Sequence, residues 1–185
     1  MPMNYRLWNL RRHRIIFAFM VCVPVTFLAG CDIGEKVRSY TTPHSLCGIK
    51  VDPEELAPFL PPGEKIKVRK EPHSGSTTCK VVVDDTLTLT TTQEWLRKGK
   101  STVYFASGQT LEDIKFSTED GRFRYSGNEG FGKTRECVDE FYEQELYTAL
   151  QASGSKHKDP EAMKDLIVSY TDEVEKSPEC TATAL

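Results

Sequence analysis

From Lys65 onward the apolar residues stand two apart among polar neighbours: Ile66 and Val68, then Val81 and Val83, then Leu87 and Leu89 in a threonine-rich run. Successive side chains of a strand point to opposite faces, so this spacing predicts three strands with one buried side each. Asp84-Asp85 supplies the turn from the second to the third, and Trp95 with Leu96 closes that third strand. Thr91 and Glu94 also stand at the spacing of a capping box, the competing reading at that point. Ile114 and Phe116, then Phe123 and Tyr125, alternate on either side of Asp120-Gly121, a pair suited to the positive φ of a tight primed turn. They predict a hairpin. Strands around 133–138 and 144–152 complete the set, with Leu146, Thr148 and Leu150 on one face and Tyr147 and Ala149 on the other.

The period becomes helical near the end of the chain. Asp159 caps, Pro160 enters, Glu161 sits at the positive end of the dipole, and Met163, Leu166, Ile167, Tyr170 and Val174 form one apolar stripe. Ser177-Pro178 stops this helix just before Cys180. A second start, Asp52-Pro53-Glu54-Glu55, has the same cap chemistry, with Leu56, Phe59 and Leu60 as its buried face. Pro58 and Pro61-Pro62-Gly63 limit it to one or two turns. Residues 101–107 suggest a further short helix, stopped by Gly108. The fold class predicted is α+β: an antiparallel sheet of five to seven strands packed against a C-terminal helix and a short N-terminal one.

The first thirty residues follow a different rule. Arg6, Arg11, Arg12 and Arg14 precede an apolar run from Ile15, and no acidic residue interrupts them. A positive start, an apolar middle and small residues before a cut site make a secretory signal peptide. The run is shorter than the roughly twenty residues of a spanning helix and contains Pro24. Its end, Leu28-Ala29-Gly30-Cys31, resembles the bacterial lipobox. By that resemblance Leu28, Ala29 and Gly30 are read by the processing machinery, and Cys31 carries lipid (diacylglycerol, palmitate) as the first residue of the mature protein. The Arg11-Arg12 pair is followed by His13 and Arg14, which fit a twin-arginine signal poorly.

Removing residues 1–30 from the 185 leaves 155, the size of one ordinary domain. The organisation expected is a signal peptide over 1–30, a lipidated start and tether over 31–46, one α+β domain over 47–180 and a disordered tail over 181–185. All four arginines of the signal leave with it, so the mature part holds 20 basic against 27 acidic side chains. Such an excess of negative charge argues against nucleic acid as a partner. Cys47, Cys79, Cys137 and Cys180 remain, an even number with no Cys-x-x-Cys pair. They predict two disulfides in an oxidising compartment rather than a zinc site. Three pairings are possible; Cys47 with Cys79 and Cys137 with Cys180 is favoured because each bond would tie a helical flank to a strand.

Candidate chemistry is sparse. Residues 127–134 spell Gly-x4-Gly-Lys-Thr, a phosphate-loop pattern, but the segment before them alternates like a half-exposed strand and no magnesium-binding partner follows. A glycine-rich connection between strands is the plainer reading. His73 lies near Ser74 and Ser76 without the glycine frame of a hydrolase elbow. His44 reads as a solvated linker residue and His157 as part of a basic hydrophilic turn. The adjacent carboxylates Asp84-Asp85, Glu54-Glu55 and Glu112-Asp113 read as a turn, a helix start and surface. No catalytic residue, metal ligand or cofactor is therefore assigned.

Taken together, the lipobox, Leu46-Cys47-Gly48, Val51-Asp52-Pro53, Leu60-Pro61-Pro62-Gly63, Cys79 before Val81 and Val83-Asp84, and the final helix ending at Cys180 resemble the small secreted lipoproteins of high-GC Gram-positive (actinobacterial) bacteria. The likeness spans roughly 31–180. It implies an envelope protein held by lipid on Cys31 at the outer face of the cytoplasmic membrane, with an α+β fold and no catalytic residue carried over. The function expected is a non-catalytic module binding another envelope protein or a small ligand; the alternative is an extracytoplasmic hydrolase whose site is assembled from distant residues.

Overall fold

The computed structural model describes residues 37–181. The signal-like segment, Leu28, Ala29, Gly30 and Cys31, the expected lipidation site, lie outside the described residues, as does most of the tail. Among those described, the fold is α+β. A two-stranded ribbon, β1 (Ser45–Leu46) and β2 (Ile49–Lys50), leads into α1 (Pro53–Leu56) and a 3-10 turn (Ala57–Phe59). Next come β3 (Ile66–His73), β4 (Ser76–Val83) and β5 (Thr86–Arg97), then α2 (Thr102–Gln109), β6 (Phe116–Ser117), β7 (Phe123–Tyr125), β8 (Glu129–Asp139) and β9 (Gln144–Gln151). α3 (Pro160–Glu175) and a 3-10 turn at Pro178–Cys180 end the fold. The seven longer-range strands make one antiparallel sheet in the order β3-β4-β5-β9-β8-β7-β6.

Helices cover the sheet on both sides. α3 buries Met163, Leu166, Ile167, Tyr170 and Val174 against Leu89, Phe123, Leu146 and Leu150. Opposite, Phe105 and Ala106 of α2 bury Phe131, Tyr147 and Ala149. β9 is thus apolar on both faces, as its alternation predicts. α3 is seated by polar contacts as well. The Tyr170 hydroxyl donates to Thr91 Oγ1 at 2.9 Å and accepts from Gln93 Nε2 at 3.0 Å, while Thr148 and Thr171 share a hydrogen bond of 2.6 Å. Asp159 caps this helix by accepting from the N–H groups of Glu161 and Ala162, and Asp52 caps α1 by accepting from that of Glu54.

Several expectations are corrected. Leu87 does not share the face of Leu89: Val81 pairs with Leu89 but Val82 with Leu87, so a bulge at Thr88 turns Leu87 outward and buries Thr88 instead. Val68 is exposed because β3 is an edge strand with a neighbour on one side only. Thr91 and Glu94 lie within β5, so the capping box does not form. α2 runs through Gly108 to Gln109, and its Ser101 cap accepts from Tyr104 N–H. Asp120-Gly121 forms no two-residue turn. Ser117 pairs with Arg124, and only Gly121 takes positive φ in the longer loop. Asp84 and Asp85 do form the tight turn, both at positive φ. Of the stretch read as a tether, 38–46 is docked: Arg38 Nη2 donates to the carbonyl of Ala57 at 2.7 Å and also to that of Leu60, and Ser39 N–H to that of Gly63. One guanidinium nitrogen thus ties together the two ends of the 3-10 turn, whose Ala57 carbonyl also accepts from Leu60 N–H at 3.2 Å.

The chain therefore reaches the sheet beside Gly63 and the Asp84-Asp85 turn. At the other end of β5, the β8–β9 hairpin tip carries Phe141 and Tyr142, exposed and packed edge to face with ring centroids 4.7 Å apart. Asp139 Oδ1 accepts from both of their N–H groups and fixes the tip.

Candidate functional site

α2 is held over the sheet by one hydroxyl and two apolar side chains. Thr102 Oγ1 donates to the Arg122 carbonyl at 2.9 Å, and Phe105 meets Phe131 and Tyr147 edge-on and tilted. The helix packs on β7, β8 and β9, and its flank leaves a cleft of about 320 Å³ above β5. Glu94 and Leu96 form the floor. Tyr104, Phe105, Ser107, Gly108 and Gln109 form the wall. Because the β period is two, Glu94 and Leu96 point the same way, on the face opposite to α3.

A line of polar groups stabilises the cleft's inner end. Gln109 Nε2 donates to Glu94 Oε2 at 2.7 Å, and Gln151 Nε2 donates to both the Gln109 carbonyl (3.2 Å) and Glu129 Oε1 (2.8 Å). Glu129 and Gln151 sit opposite each other on β8 and β9, which brings them together. Glu129 is 7% exposed and its Oε2 is buried without a hydrogen-bond partner. Glu94 makes no ion pair with any described residue. Burial pushes its carboxyl above the ordinary glutamate range, with the Gln109 hydrogen bond working the other way. The last turn of α2, the negative end of its dipole, carries no basic side chain.

A second, larger trough of about 600 Å³ runs between α1 and α3. Three of its carboxylates already have partners. Glu55 accepts from Ser169 Oγ at 2.5 Å, Asp172 faces Arg122 at 3.5 Å and Glu173 pairs with Lys176 at 2.7 Å. The α2 cleft is the stronger candidate because its carboxylate is half-buried, without an ion pair among the described residues, and held by burial above the ordinary glutamate range.

The residues singled out from sequence fall elsewhere. Cys47 is bonded to Cys79 and Cys137 to Cys180. Cys47 sits at positive φ in the β1–β2 turn rather than on a helical flank, and Cys180 lies in the final 3-10 turn. Residues 129–134 of the phosphate-loop pattern belong to β8, where Gly130 and Gly132 face α3; a Cβ at either would stand within 2.7 Å of Ile167 or Thr171. These glycines permit close helix packing. His73, Ser74 and Ser76 form the β3–β4 hairpin, with His73 paired to Ser76 and Gly75 at positive φ. His157 does not lie free in a hydrophilic turn: its ring packs edge-on against Phe59 at 5.2 Å, with Nε2 buried. Asp85 pairs with Lys67, and Asp84 accepts from Glu64 and Lys65 N–H groups. No group of three or more His, Cys, Asp or Glu among the described residues is placed to hold a metal ion.

Neither Glu94 nor Gln109 stands out in sequence as a site residue. One signal exists: Glu94 is the only acidic residue in 86–97, a strand whose other polar side chains are mostly threonine. Among the described residues no helix is long and apolar enough to cross a membrane. No protein family model matches this chain, and neither does any curated protein or solved structure.

Proposed function

We propose that this chain is a lipid-anchored protein of the bacterial envelope, held through Cys31 at the outer face of the cytoplasmic membrane, whose domain binds a small ligand or an envelope partner without turning it over. The anchoring half rests on the arginine-rich start, the apolar run and Leu28-Ala29-Gly30-Cys31. The two disulfides agree with an oxidising compartment. The observation that carries the binding half is the α2 cleft, whose polar floor is fixed by Gln109 and whose carboxylate lacks a counter-ion.

The raised proton affinity of Glu94 favours one other reading, an extracytoplasmic hydrolase using that carboxyl as acid. An attacking side chain from the same lining would be the Tyr104 or the Ser107 hydroxyl, and an attacking water would need a second carboxylate as base, which the lining lacks. The Ser107 hydroxyl donates to the Tyr104 carbonyl at 2.8 Å, which makes it a poor nucleophile. Binding is therefore preferred.

The test is metabolic labelling of the full chain with an alkyne-bearing fatty acid in an actinobacterial host, with membrane fractionation and the Cys31→Ala variant alongside. Label and membrane recovery that vanish in the variant support the anchor. An unlabelled wild-type chain recovered from cytosol overturns it.

A further inference from the structure

We propose that the α2 cleft takes a primary alkylammonium group, the chemistry presented by a lysine side chain or a free aliphatic amine. The inference rests on reading this cleft as the binding site and names the class of ligand.

Three features select a cation. Glu94 brings a carboxylate to the cleft floor with no ion pair from any described residue. The C-terminal turn of α2 adds the negative end of a helix dipole to the same wall, with no basic residue in it. The cations nearest along the chain are engaged or turned away: Arg97 stands three residues on in β5 and so faces the other side of the sheet, Lys98 pairs with Glu140 at 3.4 Å, and the Lys100 ammonium lies 4.0 Å from the centroid of the Tyr104 ring on the cleft wall. A half-buried charge without a counter-charge is held at a cost in desolvation, and an incoming cation relieves it.

The hydrogen bonding then narrows the cation. Glu94 Oε2 already accepts from Gln109 Nε2 at 2.7 Å, which leaves Oε1 as the open oxygen. A bidentate guanidinium pairing engages both carboxylate oxygens, whereas an ammonium pairs through one as a point charge, so the Gln109 hydrogen bond removes the advantage of the fork. Beyond the carboxylate, Leu96 and the Phe105 edge offer apolar surface for an aliphatic stem. At about 320 Å³ the cleft is at the small end of ligand sites, sized for a side chain rather than a drug-like molecule. Gln109 is itself held by Gln151, so the floor is set before the ligand arrives.

The experiment is a titration of the full chain in a non-ionic detergent, followed by amide chemical shifts at constant ionic strength, with n-butylammonium, n-butylguanidinium and n-butanol as probes. The expected result is saturable shifts at Glu94, Leu96 and Gln109 with n-butylammonium and at least tenfold weaker binding of the other two probes. Glu94→Gln should abolish saturation, whereas Glu112→Gln, an exposed acid in the following loop, should leave it unchanged. N-acetyl-lysine N-methylamide in the same series separates the sources: tighter binding than n-butylammonium assigns a peptide-borne lysine, weaker binding a free amine. Equal affinity for n-butanol, saturation retained in Glu94→Gln, or no saturable shift at all overturns the proposal. Failure here with lipid still attached at Cys31 rejects the ligand class alone; loss of lipid with binding intact rejects only the anchor.

Discussion

Gly130 and Ile167 meet so closely that a Cβ built on the glycine would lie 2.7 Å from that of the isoleucine. Both backbones belong to buried elements, so neither can yield freely. Gly130→Ala is expected to destabilise the domain by about 1–3 kcal/mol, the usual cost of overpacking a filled core. Urea unfolding measures it. With Ile167→Ala, which removes both crowded Cγ atoms, the double variant should lose less than the sum of the two single losses, and equal stability of wild type and Gly130→Ala would refute the packing account.

Tyr170 supplies the second expectation. Its hydroxyl is the shared partner of Thr91 and Gln93 in a fully buried position, and Gln93 Oε1 already lacks a hydrogen bond. Tyr170→Phe keeps the ring and strands two polar groups, which costs about 1–3 kcal/mol. The same unfolding measurement, with Gln93→Leu in the background, should show a smaller loss because one stranded group has then been removed.

Each disulfide closes a substantial loop, 32 residues apart for Cys47–Cys79 and 43 for Cys137–Cys180. In the chain-entropy description such closures stabilise by roughly 4 kcal/mol each. Replacing either pair by serine should lower the urea midpoint clearly, and reduction of the wild type should lower it further than either double variant. Unchanged midpoints under reducing conditions would mean that the sheet and α3 hold the fold without them.

Stability should also carry a signature of Glu94 in its pH dependence. The folded chain holds this proton more tightly than the unfolded chain because burial disfavours the carboxylate. Stability contributed by Glu94 is thus present at acid pH and falls as pH rises from the unfolded glutamate value through the higher folded one. Glu94→Gln removes that fall. Its stability relative to wild type should grow across that window and stay level above it, as read from thermal midpoints at a series of pH values. A constant difference at every pH would contradict the assigned burial effect.

Much of the scaffold could be read along the chain because its elements carry their own punctuation. Asp159-Pro160 and Asp52-Pro53 mark helix starts through chemistry internal to four residues, and the α3 stripe needs only a period. The bulge at Thr88 could not be read this way. It depends on how β4 and β5 meet, and no residue of either strand announces the slip. His157 shows a related limit, since its neighbours in sequence are hydrophilic and Phe59, the ring it packs against, lies far away in the chain. The cleft is harder still: Glu94, Gln109, Gln151 and Glu129 come from four separate segments, and a glutamine gives no periodic signal. The two disulfide pairs emerged from a preference among three possibilities, and Cys47 reaches Cys79 from a turn at positive φ rather than from the helical flank that motivated the choice.

The long central strand has a further consequence. β5 runs twelve residues, about 36 Å at the usual rise, from the Asp84-Asp85 turn near which the chain arrives to the margin beside Phe141 and Tyr142. That strand works as a spacer: the backbone of Ser39 meets Gly63 near its foot, and the paired rings of Phe141 and Tyr142 stand at its head, so whatever engages one end leaves the other clear.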